Sequence, residues 1–287
     1  MRDGEIDGAP PALQRSRGAF RLSVGRSGTS DPRTRIRELG QEGCLKLLFP
    51  RVSAAAPLEA VMVNISGGVA AGDGLSGRIV CAEGASLVVA SQAAERCYRA
   101  RAAEVPARIA MSLRLEADSS MDWLPQETIL FDGAALDRTL DVEMATTSRF
   151  LAVESRVFGR SGSGETVRNL RLRDRMRITR GGRLCYVDAI RYDGDAGTAL
   201  SHAAIGNGAT LSATLLLVSP DVATRLEAVR GLLHDAPAED VVAAASCWNG
   251  MLSIRLLSSN DVGHRNVLRS LLEHLRDDRP LPRVWQG

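Results

Sequence analysis

The chain has 287 residues, a formal net charge of +2 at pH 7, 45% hydrophobic and 4% aromatic residues. That supplies apolar side chains for one large domain or two small ones, and the near-balanced charge points to neither nucleic acid nor an acidic partner. No apolar run reaches the roughly 18 residues that a membrane-spanning helix needs.

Residues 1–16 are polar, contain proline and lack the apolar stretch of a signal peptide. They are expected as a disordered lead-in, with cytoplasmic residence as the default. Leu58–Val63 reads as a strand and runs into Asn64-Ile65-Ser66-Gly67-Gly68-Val69-Ala70-Ala71-Gly72-Asp73-Gly74. Glycines clustered like this mark backbone that turns tightly or lets another group come close. A phosphate-cradling loop is excluded, because the run ends Gly72-Asp73-Gly74 with no Gly-Lys-Ser/Thr. A dinucleotide fingerprint would open a helix, whereas Leu75–Ala82 reads as another strand. The loop therefore presents a carboxylate on a glycine-shaped surface.

Arg108–Glu116 alternates cleanly, with Ile109, Met111, Leu113 and Leu115 on one face. Leu140, Val142 and Met144 repeat the pattern, as do Leu170, Leu172, Met176 and Ile178, and Arg180-Gly181-Gly182-Arg183 is a hairpin turn. From residue 17 to about 205 the pattern is many short strands between Gly, Asp, Pro and Ser clusters, a wound or sandwich-like β body. Residues 206–287 change to a β-α-β-β-α order. Ala209–Val218 is a strand, Ser219-Pro220-Asp221 opens a helix, Val241–Trp248 and Met251–Leu257 turn at Asn249-Gly250, and Asn260 caps a second helix. The fold class is mainly β with a C-terminal α+β portion carrying two helices. The tail Leu281–Trp285 is expected to pack down.

The five cysteines form no C-x-x-C pair, and the four histidines form no H-x-x-x-H or H-E-x-x-H pattern. Neither a disulfide framework nor a preformed zinc or iron centre is expected. Lys46 is the only lysine, which argues against Schiff-base or lysine-clamped phosphate chemistry. Acids dominate instead: Asp73, Glu127, Asp132, Glu154 and Glu165. Glu154 lies within the apolar strand Phe150–Phe158, so it either faces outward or is buried with a partner such as Arg156 or Arg160. Arg171, Arg173, Arg175 and Arg177 share one strand face, a solvated edge or a basic strip for a binding module; no interleaved aromatics offer a stacking platform. Ser66 and Ser163 sit in glycine loops without a Gly-x-Ser-x-Gly context. Paired acids leave a carboxylate-dependent hydrolase as an alternative function, weakened by only three Trp and three Tyr for sugar stacking.

Five blocks occurring in order carry a family resemblance. Asn64-x-Ser66-Gly67-Gly68-Val69-x-x-Gly72-Asp73, Gln92–Arg99 and Trp123–Phe131 resemble blocks of the urease accessory protein UreD (UreH) family. So do Gly159-Arg160-x-x-x-Gly164-Glu165 and Leu281-Pro282-Arg283-Val284-Trp285. The resemblance implies a mostly β, wound body with two helices, and a non-enzymatic scaffold. Such a scaffold binds the urease apoprotein and recruits UreF, which docks the GTPase UreG with its GTP, so that nickel and a carbamate reach the urease active site. It implies a polar internal passage with no stably bound cofactor, Ni²⁺ being transient, and no nucleic-acid or membrane partner. Asp73, Glu127, Glu154 and Glu165 are carried over as passage or interface acids. Gly67, Gly68, Gly72, Gln92, Tyr98, Pro125, Gly159, Arg160 and Gly164 are carried over as structural motif residues. Two positions depart from the family pattern: Ala90-Ser91 keeps one hydroxyl where two are usual, and Arg96 stands where lysine is common. Oxygen ligands hold Ni²⁺ less tightly than imidazole or thiolate, so a sparse row of acids would pass the ion without trapping it.

Overall fold

The computed structural model describes residues 14–28, 33–53, 56–101, 104–160, 163–236 and 240–286. Most of the expected lead-in, residues 1–13, lies outside them. Arg15 pairs with Glu104 at 2.7 Å, and the Ser16 amide donates to Asp73.

The chain winds between two facing sheets. One contains β1 (Arg17–Arg26), β2 (Thr34–Gly43), β5 (Gly74–Cys81), β8 (Ala107–Leu115), β11 (Ala135–Met144), β13 (Leu170–Arg180) and β14 (Arg183–Gly194). The other contains β3 (Leu45–Leu48), β4 (Leu58–Asn64), β6 (Ser86–Ser91), β9 (Ser120–Leu124) and β12 (Arg149–Phe158). From β4 onward successive long strands alternate between the sheets, each lying parallel beside its predecessor in the same sheet. The short strands β7 (Glu95–Cys97) and β10 (Thr128–Leu130) extend the second sheet. The result is a two-sheet solenoid whose first sheet is finished by the antiparallel hairpin β13–β14.

The C-terminal portion continues the second sheet. β15 (Leu211–Val218) pairs antiparallel with β12, followed by β17 (Met251–Ser258) and β16 (Val241–Trp248). Helices α2 (Leu226–Asp235) and α3 (Asp261–Leu275) cover the outer face of this sheet. Two hydrophobic layers follow. Phe20, Ile79, Leu87, Leu113, Phe150 and Leu172 pack between the sheets. Leu151, Val153, Leu215, Ile254, Leu271 and Leu272 pack between the second sheet and the helices. Strand patterns mirror this. β8 alternates buried with exposed because its outer side meets water, whereas β15 is buried at seven of its eight residues because both faces are covered.

The expected strands and both helices are present, with two differences. A short helix α1 (Ala196–Ser201), capped by Asp195, follows β14 where only β structure was expected. The helix expected from Ser219-Pro220-Asp221 starts later. The Ser219 hydroxyl donates to the Asp221 carboxylate instead of capping backbone, and a 3-10 turn, Val222–Arg225, precedes α2. Asn260 does cap α3, its Oδ1 accepting from Gly263 N at 3.0 Å. Trp285 is buried, and its Nε1–H donates to the Leu124 carbonyl at 2.9 Å.

Candidate functional site

Because β4, β6 and β9 run parallel in the second sheet, the loops after them gather at one end of the sandwich. They enclose a cavity of about 450 Å³ lined by Asn64, Gln92, Glu95, Glu127, Arg138 and Glu154 over an apolar floor that includes Leu75, Ile109 and Met111. Strand parity aims the charges inward. Arg138 and Asp174 are register partners on adjacent strands β11 and β13, and Glu154 and Arg156 are two apart on β12, on the side of buried Phe150 and Ala152.

These four side chains form a buried ionic group. Glu154 Oε1 accepts from the Trp123 indole at 3.0 Å, and its Oε2 lies 2.8 Å from Arg138 NH2. That oxygen has no aligned hydrogen bond, so its contact with Arg138 is an ion pair. Arg138 also holds Asp174 through Nε at 2.9 Å and NH2 at 2.6 Å, and donates NH1 to Thr128 Oγ1 at 2.9 Å. Arg156 Nε reaches Asp174 Oδ2 at 2.5 Å. Burial alone would raise the Asp174 pKa, but the two guanidiniums override it and hold the carboxyl well below the usual range. Burial alone would likewise lower the Arg138 pKa, and the Asp174 and Glu154 charges raise it instead.

Glu95 differs. Its Oε1 accepts from Asn64 Nδ2 at 3.0 Å. Burial pushes its carboxyl up to about 7, against the smaller lowering effects of Asn64 and Arg138. Glu127 faces two ways: it also borders a second cavity of about 560 Å³ beneath α3, together with Ser155, Asp261, His264 and Arg265. Arg265 lies 3.6 Å from its carboxylate.

The structure thus brings Glu127 and Glu154 together at one cavity, while Asp73 and Glu165 lie apart. Asp73 is buried, and its carboxylate accepts from the backbone amides of Ser16 and Ala70, both at 2.8 Å. It closes the glycine loop instead of facing the cavity. Glu165 binds Arg160 Nε and the Arg160 amide, each at 3.1 Å, tying the Gly159–Glu165 turn to itself. This arginine holds its carboxyl below the usual range. Gly159 and Gly164 both adopt positive φ in that turn.

The other motif residues frame the cavity. Gln92 and Pro125 line it, as do Gly67 and Gly68. Gly68 has φ +142, and a Cβ there would meet the Tyr98 ring at 2.5 Å and the Arg96 carbonyl at 2.6 Å, so any side chain would push the tyrosine away. The Tyr98 hydroxyl donates to the Gly67 carbonyl at 2.8 Å. Gly72 also has positive φ, at the turn before Asp73. The one hydroxyl of Ala90-Ser91 accepts from the Gln126 amide at 2.8 Å and donates to Ala93 O at 3.1 Å.

Sequence reasoning missed Glu95, Arg138 and Asp174 as site residues. A signal existed for two of them: Asp174 interrupts the apolar parity of Leu170, Leu172, Met176 and Ile178, and Arg138 interrupts that of Leu136, Leu140 and Val142. It also missed Ser155 and His264, whose Oγ and Nε2 lie 3.3 Å apart under α3. Burial drives this imidazole down to about 4, and its Nδ1 has no hydrogen-bond partner among the described residues, so none of their carboxylates orients it as a triad would require. Among the described residues no group of three or more His, Cys, Asp or Glu is arranged to hold a metal ion. No helix of the described residues is long and apolar enough to cross a membrane.

The chain matches the family model of the UreD urease accessory protein over residues 16–286. It is 43% identical over 278 residues to a urease accessory protein UreD of Methylobacterium sp., covering 96% of each chain. It is 42% identical over 278 residues to a UreD 2 of Methylorubrum populi, covering 96% of this chain and 92% of that one. A UreD of Azorhizobium caulinodans is 39% identical over 275 residues, covering 96% of this chain and 98% of that one.

Proposed function

Since the chain belongs to the UreD family of urease accessory proteins, we propose that it is a non-catalytic scaffold of urease maturation. In this reading it works in the cytoplasm, binds the urease apoprotein and recruits UreF. UreF in turn brings the GTPase UreG with its GTP, and Ni²⁺ is handed on as cargo through the inter-sheet cavity. The observation that supports the cargo role is the placement of Glu95, Glu127 and Glu154 around one cavity, with Glu127 shared by the second.

The chemistry suits passage better than storage. Glu154 already has Arg138 and Trp123 as partners, so a cation must compete with a guanidinium for it and gains only a brief hold. Burial raises the Glu95 pKa to about 7, so a cation approaching it near neutral pH competes with a proton for the carboxylate. Carboxylate and amide oxygens hold Ni²⁺ weakly compared with imidazole and thiolate. Asp73 and Glu165, being spent on backbone and on Arg160, hold their own turns: the glycine loop beside the inter-sheet cavity and the turn bordering the second one.

Co-expression with UreF and the urease apoprotein, followed by size exclusion, tests the scaffold role. A complex containing all three is expected, and the absence of this chain from any such complex ends the reading. The isolated chain is expected to turn over no glycoside or ester substrate; activity above background would favour the hydrolase alternative.

A further inference from the structure

Three carboxylates line the inter-sheet cavity, and two of them already face a positive charge. Glu154 lies 2.8 Å from Arg138 NH2, and Glu127 lies 3.6 Å from Arg265. Glu95 makes no ion pair among the described residues. Its hydrogen-bond donor is the neutral side-chain amide of Asn64, which reaches Oε1 at 3.0 Å. Its other oxygen, Oε2, makes no hydrogen bond among the described residues.

The buried ionic group beside it is electrically balanced. Arg138 and Arg156 carry two positive charges, and Glu154 and Asp174 carry two negative ones. An ionised Glu95 is therefore a surplus negative charge in the wall, and a protonated one leaves the wall neutral. Other nearby groups do not alter that balance. Arg96 also lines the cavity, but its side chain is exposed and screened by water. The Cys97 thiol is pushed up to about 12 by burial and stays neutral. Asp73 is spent on the backbone amides of its own loop.

The fold holds Glu95 beside a guanidinium without letting the two bind. The short strand β7 lies parallel to β10, with Glu95 the register partner of Thr128. Thr128 Oγ1 accepts from Arg138 NH1 at 2.9 Å, so the threonine takes a bond that the carboxylate would otherwise receive. On the other side the glycine loop orients Asn64. The Asn64 Oδ1 accepts from the Ser66 amide at 3.1 Å and from the Ser66 hydroxyl at 2.6 Å. That leaves Nδ2 to donate to the Gly68 carbonyl at 3.1 Å and to Glu95. An amide donor serves a carboxylate and the carbonyl oxygen of a carboxylic acid alike. A proton can therefore leave Oε2 without any rearrangement of the loop.

We propose that Glu95 decides whether this cavity takes a divalent cation, Ni²⁺ binding Glu95 Oε2 as the carboxyl proton departs to water. The O–H bond breaks, the oxygen's electron pair turns to the ion, and one proton leaves for each ion bound; nothing is oxidised or reduced. The inference rests on the cargo reading above and adds which acid supplies the unmatched charge and how pH governs entry. A balanced wall gives a dication no net attraction to offset the loss of its hydration. Burial sets the Glu95 carboxyl at about 7, so the cavity becomes receptive as pH rises through neutrality.

Two measurements test this, each comparing wild type with Glu95→Gln, which keeps the acceptor for Asn64 and removes the charge. Glu143→Gln, an exposed acid on β11, is the control. Titration calorimetry of the full chain with NiCl₂, in buffers of unlike ionisation enthalpy, counts the protons released. At about pH 6 the wild type should release close to one proton more per Ni²⁺ than Glu95→Gln, and at about pH 8 little more. The second measurement is nickel transferred into urease apoprotein by the complex with UreF, UreG and GTP. Relative to Glu95→Gln, transfer by the wild type should rise about threefold or more over the same interval, and Glu143→Gln should match the wild type. Equal proton release in wild type and Glu95→Gln, or no Ni²⁺ bound by either, overturns the proposal. Transfer by Glu95→Gln equal to wild type at both pH values overturns it too, while leaving the cargo reading in place. Proton release as expected with no nickel transferred by the wild-type complex would end the cargo reading and leave Glu95 as a cation site.

Discussion

The Trp123 indole N–H donates to Glu154 Oε1 at 3.0 Å, fixing a carboxylate at the wall of the inter-sheet cavity while Arg138 holds its other oxygen. Glu154→Gln keeps an acceptor for the tryptophan and removes the charge. The variant should still enter the UreF and urease complex. Nickel in co-expressed urease should fall about twofold or more if oxygen donors set the transfer. Elemental analysis of the purified urease decides it, and undiminished nickel removes Glu154 from the path.

Asp73 predicts the opposite separation. Asp73→Ala strands two backbone amides, a loss on the order of 2–3 kcal/mol. Urea denaturation should show the lower midpoint. Urease nickel content should fall only in proportion to the accessory protein that stays folded. A nickel defect at unchanged stability would instead give Asp73 a direct role with the cargo.

Asp122 holds α3 to the second sheet. It accepts from Arg149 NH1 at 2.7 Å and from Arg276 Nε at 2.9 Å, and Arg149 reaches on to the Leu275 carbonyl. Asp122→Ala leaves two largely buried guanidiniums facing each other. The expected cost is about 3–5 kcal/mol, read as a lower melting temperature. A change under about 1 kcal/mol would mean that solvent reaches these arginines.

Glu95 sets a pH dependence. Its pKa is raised on folding from 4.5 to about 7, so the folded state binds more protons than the unfolded one in that window. Its contribution is therefore fully present below about 4.5 and lost as pH rises through 7. His264, lowered from 6.5 to about 4, acts in the reverse sense, favouring the folded state as pH rises from 4 to 6.5. Comparing Glu95→Gln with the wild type isolates the first term. Relative to this variant, the wild type should lose on the order of 2–3 kcal/mol between pH 4.5 and 8. Parallel pH profiles would show that Glu95 is solvated.

Much of the fold was legible because local patterns encode it. The alternation in Ile109, Met111, Leu113 and Leu115 gave β8, Asn249-Gly250 gave the β16–β17 turn, and Asn260 gave the start of α3. The late start of α2 was not legible, since a serine that can cap backbone can equally bond a carboxylate two residues on. The site was half legible. Glu127 and Glu154 stood out as acids beside apolar segments, but nothing local distinguishes Asp73, whose carboxylate folds back onto its own loop, from an acid that faces a cavity.

By itself the sequence determined most of the long strands, the existence of the two long helices, the family, and which side chains share a strand face. Alternation reports whether one or both faces of a strand are buried, but it does not say which strands share a sheet. Only the tertiary structure decided which faces meet. Glu95, Arg138, Glu154 and Asp174 belong to four strands that come together because the winding carries the chain repeatedly past the same end of the sandwich. Parity fixes the side to which a residue points but carries no information about the strand opposite.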